Sequence, residues 1–310
     1  MAGPLIVSAG GRRGTPKTRA AALSIASNSV LIALKLVAGA ITGSVAIITE
    51  AMHSSIDLVA SIVAFFSVRE ADKPADAEHP YGHEKIENLA AAIEGMLILV
   101  GSAVIVYESV RRLAGDTEVQ SLGFGIGVIA FSMVANVVVS GYVARRARET
   151  GSPALEGDAA HLRTDAATSG AVLAGLVLVE LTGASWLDPV IALAVAGAIV
   201  VAGVRLLGRA SRVLVDEALP ADELDAIADT VVAFGPRGVA GFHKLRARRA
   251  GARRYVDLHV QFTAGTTLEA AHATAHALQD AIRERLDRVD VLIHLEPEGS
   301  VQPGTEISFP

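Results

Sequence analysis

The chain is predicted to combine a membrane-embedded, all-α bundle of six transmembrane helices with a cytoplasmic α+β domain of order αββαβ. Three observations predict this. Of 310 residues, 51% are hydrophobic and only 19% charged, a balance that belongs to membrane proteins. Six apolar stretches reach the roughly 20 helical residues that a bilayer core demands. From about residue 211 the pattern turns to amphipathic helix and alternating strand. The expected divisions are a cytoplasmic tail over 1–18, a transmembrane domain over 19–210, a cytoplasmic domain over 211–300 and a C-terminal tail over 301–310.

The opening MAGPLIVSAGGRRGTPKTR puts an apolar stretch before its basic residues, the reverse of a signal peptide's order, and reads as a cytoplasmic tail. The six spans are expected near 20–41, 45–69, 88–110, 121–143, 158–181 and 187–207. Lys35, Glu94, Asn136 and Glu180 interrupt them singly, and such groups are tolerated at depth when they face a bundle interior. Arg12, Arg13, Lys17 and Arg19 precede the first span; Arg69, Lys73 and Lys85 follow the second. Arg145, Arg146 and Arg148 follow the fourth, and Arg205, Arg209 and Arg212 close the sixth. Loops rich in Lys and Arg stay inside, so both termini are placed in the cytoplasm; only Arg111 and Arg112 run against the rule. Beyond the spans, ADELDAIADTVVAF is helical, GVAGFHKLRARRAG and RRYVDLHVQFTAG form a strand pair, TTLEAAHATAHALQDAIRERL is a long helix, and DVLIHLEP is a last strand. A small sheet with helices on one face accommodates that order.

Polar residues in the spans carry the chemistry. In EAMHSSIDLVA, helical spacing puts Glu50, His53 and Asp57 on one stripe, and GDAAHLRTD repeats the offsets with Asp158, His161 and Asp165. If the two helices pack together, His53, Asp57, His161 and Asp165 offer two imidazoles and two carboxylates to one ion, a donor set suited to tetrahedral zinc or a related divalent metal. Glu50 and Asp158 are expected to orient the histidines from behind, to relay protons, or to lie near the helix ends in water. A third cluster, ADAEHPYGHEK, places Asp76, His79 and His83 in a turn made by Pro80 and Gly82. His243, His259 and His294 fall on or beside strands with Glu296 on the same strand face as His294, while His272 and His276 lie one helical turn apart. With no cysteine, any metal must be held by His, Asp or Glu; the formal charge of −6 argues against a nucleic-acid partner.

TGSVAIITEAMHSSIDLVAS, ADAEHPYGHEKIENLAA, DAAHLRTDAATSGAVL, LDPVIAL and VDEALP together resemble the cation diffusion facilitators, the family of zinc and related divalent-metal transporters. The resemblance covers nearly the whole chain, with the cytoplasmic domain metallochaperone-like. It implies a transport site of His53, Asp57, His161 and Asp165, a loop site of Asp76, His79 and His83, and a cytoplasmic centre of His243, His259, His294 and Glu296, with His272. It also implies a charged pair, Lys85 and Asp216, that interlocks near the membrane and holds a homodimer. His53 and Glu296 depart from the family, where Asp is common at both. The first departure favours zinc over larger or softer ions.

The function so implied is export of divalent cations, zinc first and iron, cobalt or manganese as alternatives, from the cytoplasm across the cell membrane. Two His and two Asp must lose protons to load a metal, and imidazole titrates near cytoplasmic pH, so alternating access makes the site a metal–proton antiporter. Two other classes fit the sequence less well. An intramembrane metalloenzyme needs an open metal position and a nearby base, as in H-E-x-x-H, and that motif is absent. A sensor with a passive membrane part leaves the duplicated motif unexplained.

Overall fold

The computed structural model describes residues 15–42, 45–114, 123–184 and 186–299; within the helices, the side chains of 45–53, 56, 57 and a few other positions lie outside that description. Six long helices come first: α1 (Pro16–Thr42), α2 (Val45–Ala71), α3 (Lys85–Ala114), α4 (Gly123–Thr150), α5 (Pro153–Thr182) and α6 (Leu187–Leu214). Each is 27–30 residues long, or about 40–45 Å at 1.5 Å per residue, against a hydrocarbon core of about 30 Å. They therefore run past the expected spans. A helix keeps its backbone hydrogen bonds in water as in lipid, so nothing stops it at the membrane surface. Among the described residues, four stretches are long and apolar enough to cross a membrane: Pro16–Val37, Lys85–Arg111, Gly127–Thr150 and Pro189–Leu214. The other two long helices, α2 and α5, are those that carry the duplicated acid and histidine pattern.

The helices pair as α1 with α2, α3 with α6 and α4 with α5, and α5 also packs on α2, α3 and α6, which makes it the hub. Small residues set these distances, as expected where helix association rests on close backbone approach. A Cβ on Gly95 of α3 would stand 3.0–3.2 Å from the backbone of Leu207 on α6, and one on Gly203 of α6 would meet Ile98 and Leu99 at 3.1 Å. Apolar atoms close the seam: Ala91, Ile98, Ile199, Leu206 and Ala210 are buried there.

The cytoplasmic part consists of α7 (Ala221–Val232), β1 (Val239–Ala250), β2 (Arg253–Phe262), α8 (Leu268–Arg285) and β3 (Val289–Pro297). The sheet order is β1-β2-β3, with β2 antiparallel to β1 and parallel to β3. A hairpin joins the first pair, and Gly251 in it adopts φ +56°; the parallel pair needs a crossover, which α8 supplies. Thr267 caps α8 by accepting the Ala270 N–H at 3.2 Å. Even-numbered Val256, Leu258, Val260 and Phe262 face the helices and pack with Ile227, Val231, Leu278 and Ile282. Odd-numbered positions of β2 therefore face the other way.

Replacing Gly95 by leucine in the tight α3–α6 seam should cost about 1–3 kcal/mol or more through overpacking against backbone that has no rotamer to yield. The check is the thermal midpoint of the purified protein, which should fall clearly below the parent's.

Candidate metal centres

In the membrane, three of the expected residues are described and three are not. Asp158, His161 and Asp165 lie on successive turns of α5; His161 is buried and Asp165 half-buried. Glu50, His53 and Asp57 belong to α2, but their side chains lie outside the described residues. The level of the two helices is nevertheless fixed. Lys17, near the start of α1, pairs with Asp72, just past α2, and with Glu87, which accepts from Ser152, just before α5. The C-terminal end of α2 and the N-terminal end of α5 therefore lie at one end of the bundle, and the helices run antiparallel. Ser61 of α2 donates to Asp158 Oδ1 at 2.9 Å. One turn toward the opposite membrane face, backbone position 57 comes level with 161 and 162, and one turn further position 53 comes level with 165 and 166.

Asp158 is a structural anchor in this arrangement. Ser24 of α1 also donates to its Oδ1 at 3.0 Å, and Asn28 donates to the Ser61 hydroxyl at 2.9 Å, which ties α1, α2 and α5 in one buried knot. Its Oδ2 is buried without a hydrogen-bond partner among the described residues, as are both carboxylate oxygens of Glu94 on α3. A Cβ on Gly157 would overlap the Glu94 carboxylate where it now lies, so a larger residue at 157 would force that side chain to shift.

The loop after α2 gathers its three expected residues. The Asp76 carboxylate accepts the N–H groups of Glu78 and His79 at 3.0 and 2.7 Å, and those bonds, the His79 one foremost, hold it below its ordinary range. His83 Nε2 stands 3.3 Å from Asp76 Oδ2 and His79 Nδ1 3.5 Å from Oδ1. Gly82, at φ +91°, turns the chain so that His83 points back. His83 is buried and its Nδ1 has no partner among the described residues. One donor atom from each residue falls within 4.8 Å of the others, a fit for a divalent ion.

In the cytoplasmic domain the register aligns His243 with His259 and His259 with His294, one histidine per strand. All three lie on the sheet face away from α7 and α8. Glu296 bridges them: its Oε2 is 2.7 Å from His243 Nε2, and its Oε1 is 2.6 Å from His259 Nδ1 and 3.6 Å from His294 Nε2. Burial pushes the Glu296 carboxyl up, but the bonds from His243 and His259 outweigh it and leave it below the usual range. His243 is 3% exposed with its Nδ1 unpartnered among the described residues. His243, His259 and Glu296 thus present a compact N,N,O donor set with His294 at its edge, and the set fits zinc. His272 does not join it within the chain. The helix buries Ala271, Ala275 and Leu278 against the sheet's opposite face, which turns His272 outward, where its Nε2 lies 3.1 Å from that of His276.

Lys85 and Asp216 meet inside a single chain, Nζ to Oδ1 at 2.7 Å, and Arg248 donates to the same oxygen at 2.9 Å. The Lys85 hydrogen bond, with Arg248 behind it, overcomes partial burial and holds the Asp216 carboxyl below its ordinary range. The loop is fastened to the hairpin by Glu84 with Arg253 at 2.8 Å, by Asn88 Oδ1 accepting the Gly251 N–H at 2.9 Å, and by the Tyr255 hydroxyl donating to the Tyr81 carbonyl. Sequence reasoning missed Arg248, Ser24, Asn28 and Ser61. Ser24, Asn28 and Lys35 share one helical stripe of α1, a signal that was present but unweighted.

Comparison with known proteins agrees with this architecture. A family profile described as the cation efflux transmembrane domain matches residues 21–215, and one described as the cation efflux protein cytoplasmic domain matches 219–298. An uncharacterized transporter of Synechocystis is 36% identical over 277 residues, covering 89% of each chain. The cation-efflux pump FieF of Yersinia pestis is 35% identical over 280 residues, covering 90% of this chain and 92% of that one. The metal-bound C-terminal domain of the CzcD transporter from Thermotoga maritima is 28% identical, with a TM-score of 0.24, covering 27% of this chain and 100% of that one.

Zinc titrated calorimetrically into the full-length protein should lose one binding event on His259→Ala. Because metal must displace protons from imidazoles whose reference pKa is about 6.5, affinity at that event should weaken as pH falls below it. Asp216→Asn keeps a residue tolerant of φ +61° and removes the charge; for so exposed a pair the cost at pH 7 should be at most about 1 kcal/mol. A depressed folded pKa means that this stabilisation is present above the carboxylate's unfolded value of about 3.9 and disappears as pH falls through the folded one. Thermal midpoints of parent and variant should therefore converge as the pH is lowered through the depressed folded value of the Asp216 carboxyl.

Proposed function

Because the chain belongs to the cation efflux family, we propose that it exports divalent transition-metal cations, zinc first, from the cytoplasm in exchange for protons. His53, Asp57, His161 and Asp165 form the transport site in this reading, with zinc as cargo. The single observation that carries it is the Ser61–Asp158 hydrogen bond at 2.9 Å, which sets the two halves of the duplicated motif at one level of an antiparallel helix pair. Two imidazoles and two carboxylates bind zinc only when unprotonated, so arrival of protons from the opposite side displaces the ion there and readies the site to reload inside. Sliding α2 against α5 opens the tetrahedron, because each helix supplies half of it.

The basic loops put both termini and the sheet on the cytoplasmic side of the cell membrane. Two chains join through the cytoplasmic domain, and the Asp76, His79, His83 and His243, His259, Glu296 clusters bind metal there as regulators of dimer geometry. Iron, cobalt and manganese are the other cargoes this donor set accepts, since affinity follows the general transition-metal order and geometry decides among them.

The test is zinc flux into vesicles reconstituted with the full chain under an imposed pH gradient. Flux should follow the gradient and fall to the protein-free level in both Asp57→Ala and His161→Ala. Gradient-driven flux that survives either substitution would overturn the site, and flux indifferent to the gradient would overturn the coupling.

A further inference from the structure

Where the cytoplasmic ends of α3 to α6 meet the start of the αββαβ domain lies a cavity of about 940 Å³, a size typical of small-ligand sites. Its wall carries Arg148, Arg163, Arg209, Arg212 and Arg249 against two acids, Glu156 and Glu217. Arg209 pairs with Glu156 at 2.7 Å, Arg212 with Glu217 at 3.0 Å and Arg249 with Glu223. Arg148 and Arg163 are exposed and have no ion-pair partner among the described residues, and the buried Nε of Arg249 donates to none of them. An anion answers this surplus, since guanidinium groups grip phosphate with paired N–H donors. A metal cation is repelled by the same wall.

A second feature says what kind of anion. Arg163 also borders a groove of about 460 Å³ between α4 and α5, floored by Met133, Val137, Gly141, Ala166 and Ala167. Along α5 those alanines follow Arg163 away from the cytoplasm, and along α4 the groove rises from Gly141 back to Met133. It therefore runs from the basic cavity into the middle of the apolar stretch Gly127–Thr150 of α4, where a phospholipid's acyl chain lies when its headgroup is at the cytoplasmic end. A free anion uses the cavity and leaves the groove idle. Only an amphiphile with an anionic head uses both.

We propose that the cavity holds the anionic phosphodiester headgroup of a cytoplasmic-leaflet phospholipid and that the groove between α4 and α5 holds one of its acyl chains. Basic pockets between helices at the cytoplasmic face are where such headgroups bind. The proposal does not depend on the transported ion, and its test reads lipid and not flux.

The full-length protein, delipidated in neutral detergent, is offered equal amounts of phosphatidylglycerol and phosphatidylcholine, and retained lipid is counted by native mass spectrometry. Phosphatidylglycerol should be retained at least about tenfold over phosphatidylcholine, and Arg148→Gln with Arg163→Gln should abolish the preference, given two cationic contacts near the membrane surface. Ala167→Phe, which fills the groove and leaves every arginine, should also lower retention. Millimolar inorganic phosphate should not displace the lipid. Equal retention of both lipids overturns the proposal, as does a preference that survives the double substitution. Displacement by inorganic phosphate together with an unaffected Ala167→Phe variant assigns the cavity to a soluble anion and also overturns it. The thermal midpoint of the purified protein verifies that each variant is folded, and if the double variant is not, Ala167→Phe and phosphate competition decide alone.

Discussion

A polar group placed between helices that face hydrocarbon has no water to turn to, and the membrane half of this protein is organised around meeting that demand from within. Asp158 accepts from Ser24 and Ser61, Asn28 donates to Ser61, and Lys35 donates to Ser54 at 2.7 Å, so buried hydrogen bonds set the level of α1, α2 and α5 relative to one another. Apolar packing between helices in lipid is permissive, because a leucine is as content against an acyl chain as against another leucine. The buried hydroxyls and carboxylate supply the missing specificity. They also bring the stretches bearing the duplicated pattern alongside each other, and Asp158 is itself the first residue of the α5 copy.

A second set of contacts joins the bundle to the sheet. The loop between α2 and α3 lies against the β1–β2 hairpin through Glu84, Asn88 and Tyr81, while Lys85, Asp216 and Arg248 share one carboxylate oxygen beside it. These are partly exposed interactions, each modest in free energy. Their value is geometric, since they involve the first residues of α3 and the residues just past α6, the two helices joined by the glycine-lined seam. The same stretch of loop carries Asp76, His79 and His83, so a metal bound there would sit at the seat of the domain contact.

Much of this was legible in the sequence. Hydrophobic run length gave the six helices, and period-2 alternation in RRYVDLHVQF separated the core-facing valines from the histidine face. The E-x-x-H-x-x-x-D and D-x-x-H-x-x-x-D repeats announced which helices were special. Other features were not legible because they depend on register across elements. Nothing local says that His243, His259 and His294 occupy one row, which follows from the hairpin and from the parallel pairing of β3. The resemblance added His272, on the helix, to the same centre, yet the apolar stripe at 271, 275 and 278 turns it to the far layer. The Ser61–Asp158 bond joins residues 97 apart, and no periodicity within either helix reveals its partner.

The two anchors on α2 have a mechanical consequence. Ser61 is bound at the bundle centre, and Asp72, just past the helix end, accepts from Thr15 at 3.0 Å. Between them lie about three turns of continuous helix, some 16 Å. Such a rod is stiff along its axis, so a shift imposed where its end meets the start of α1 reaches the level of residue 57 nearly undiminished. Stroke at one end becomes stroke at the other, and the linkage has almost no play to lose it in.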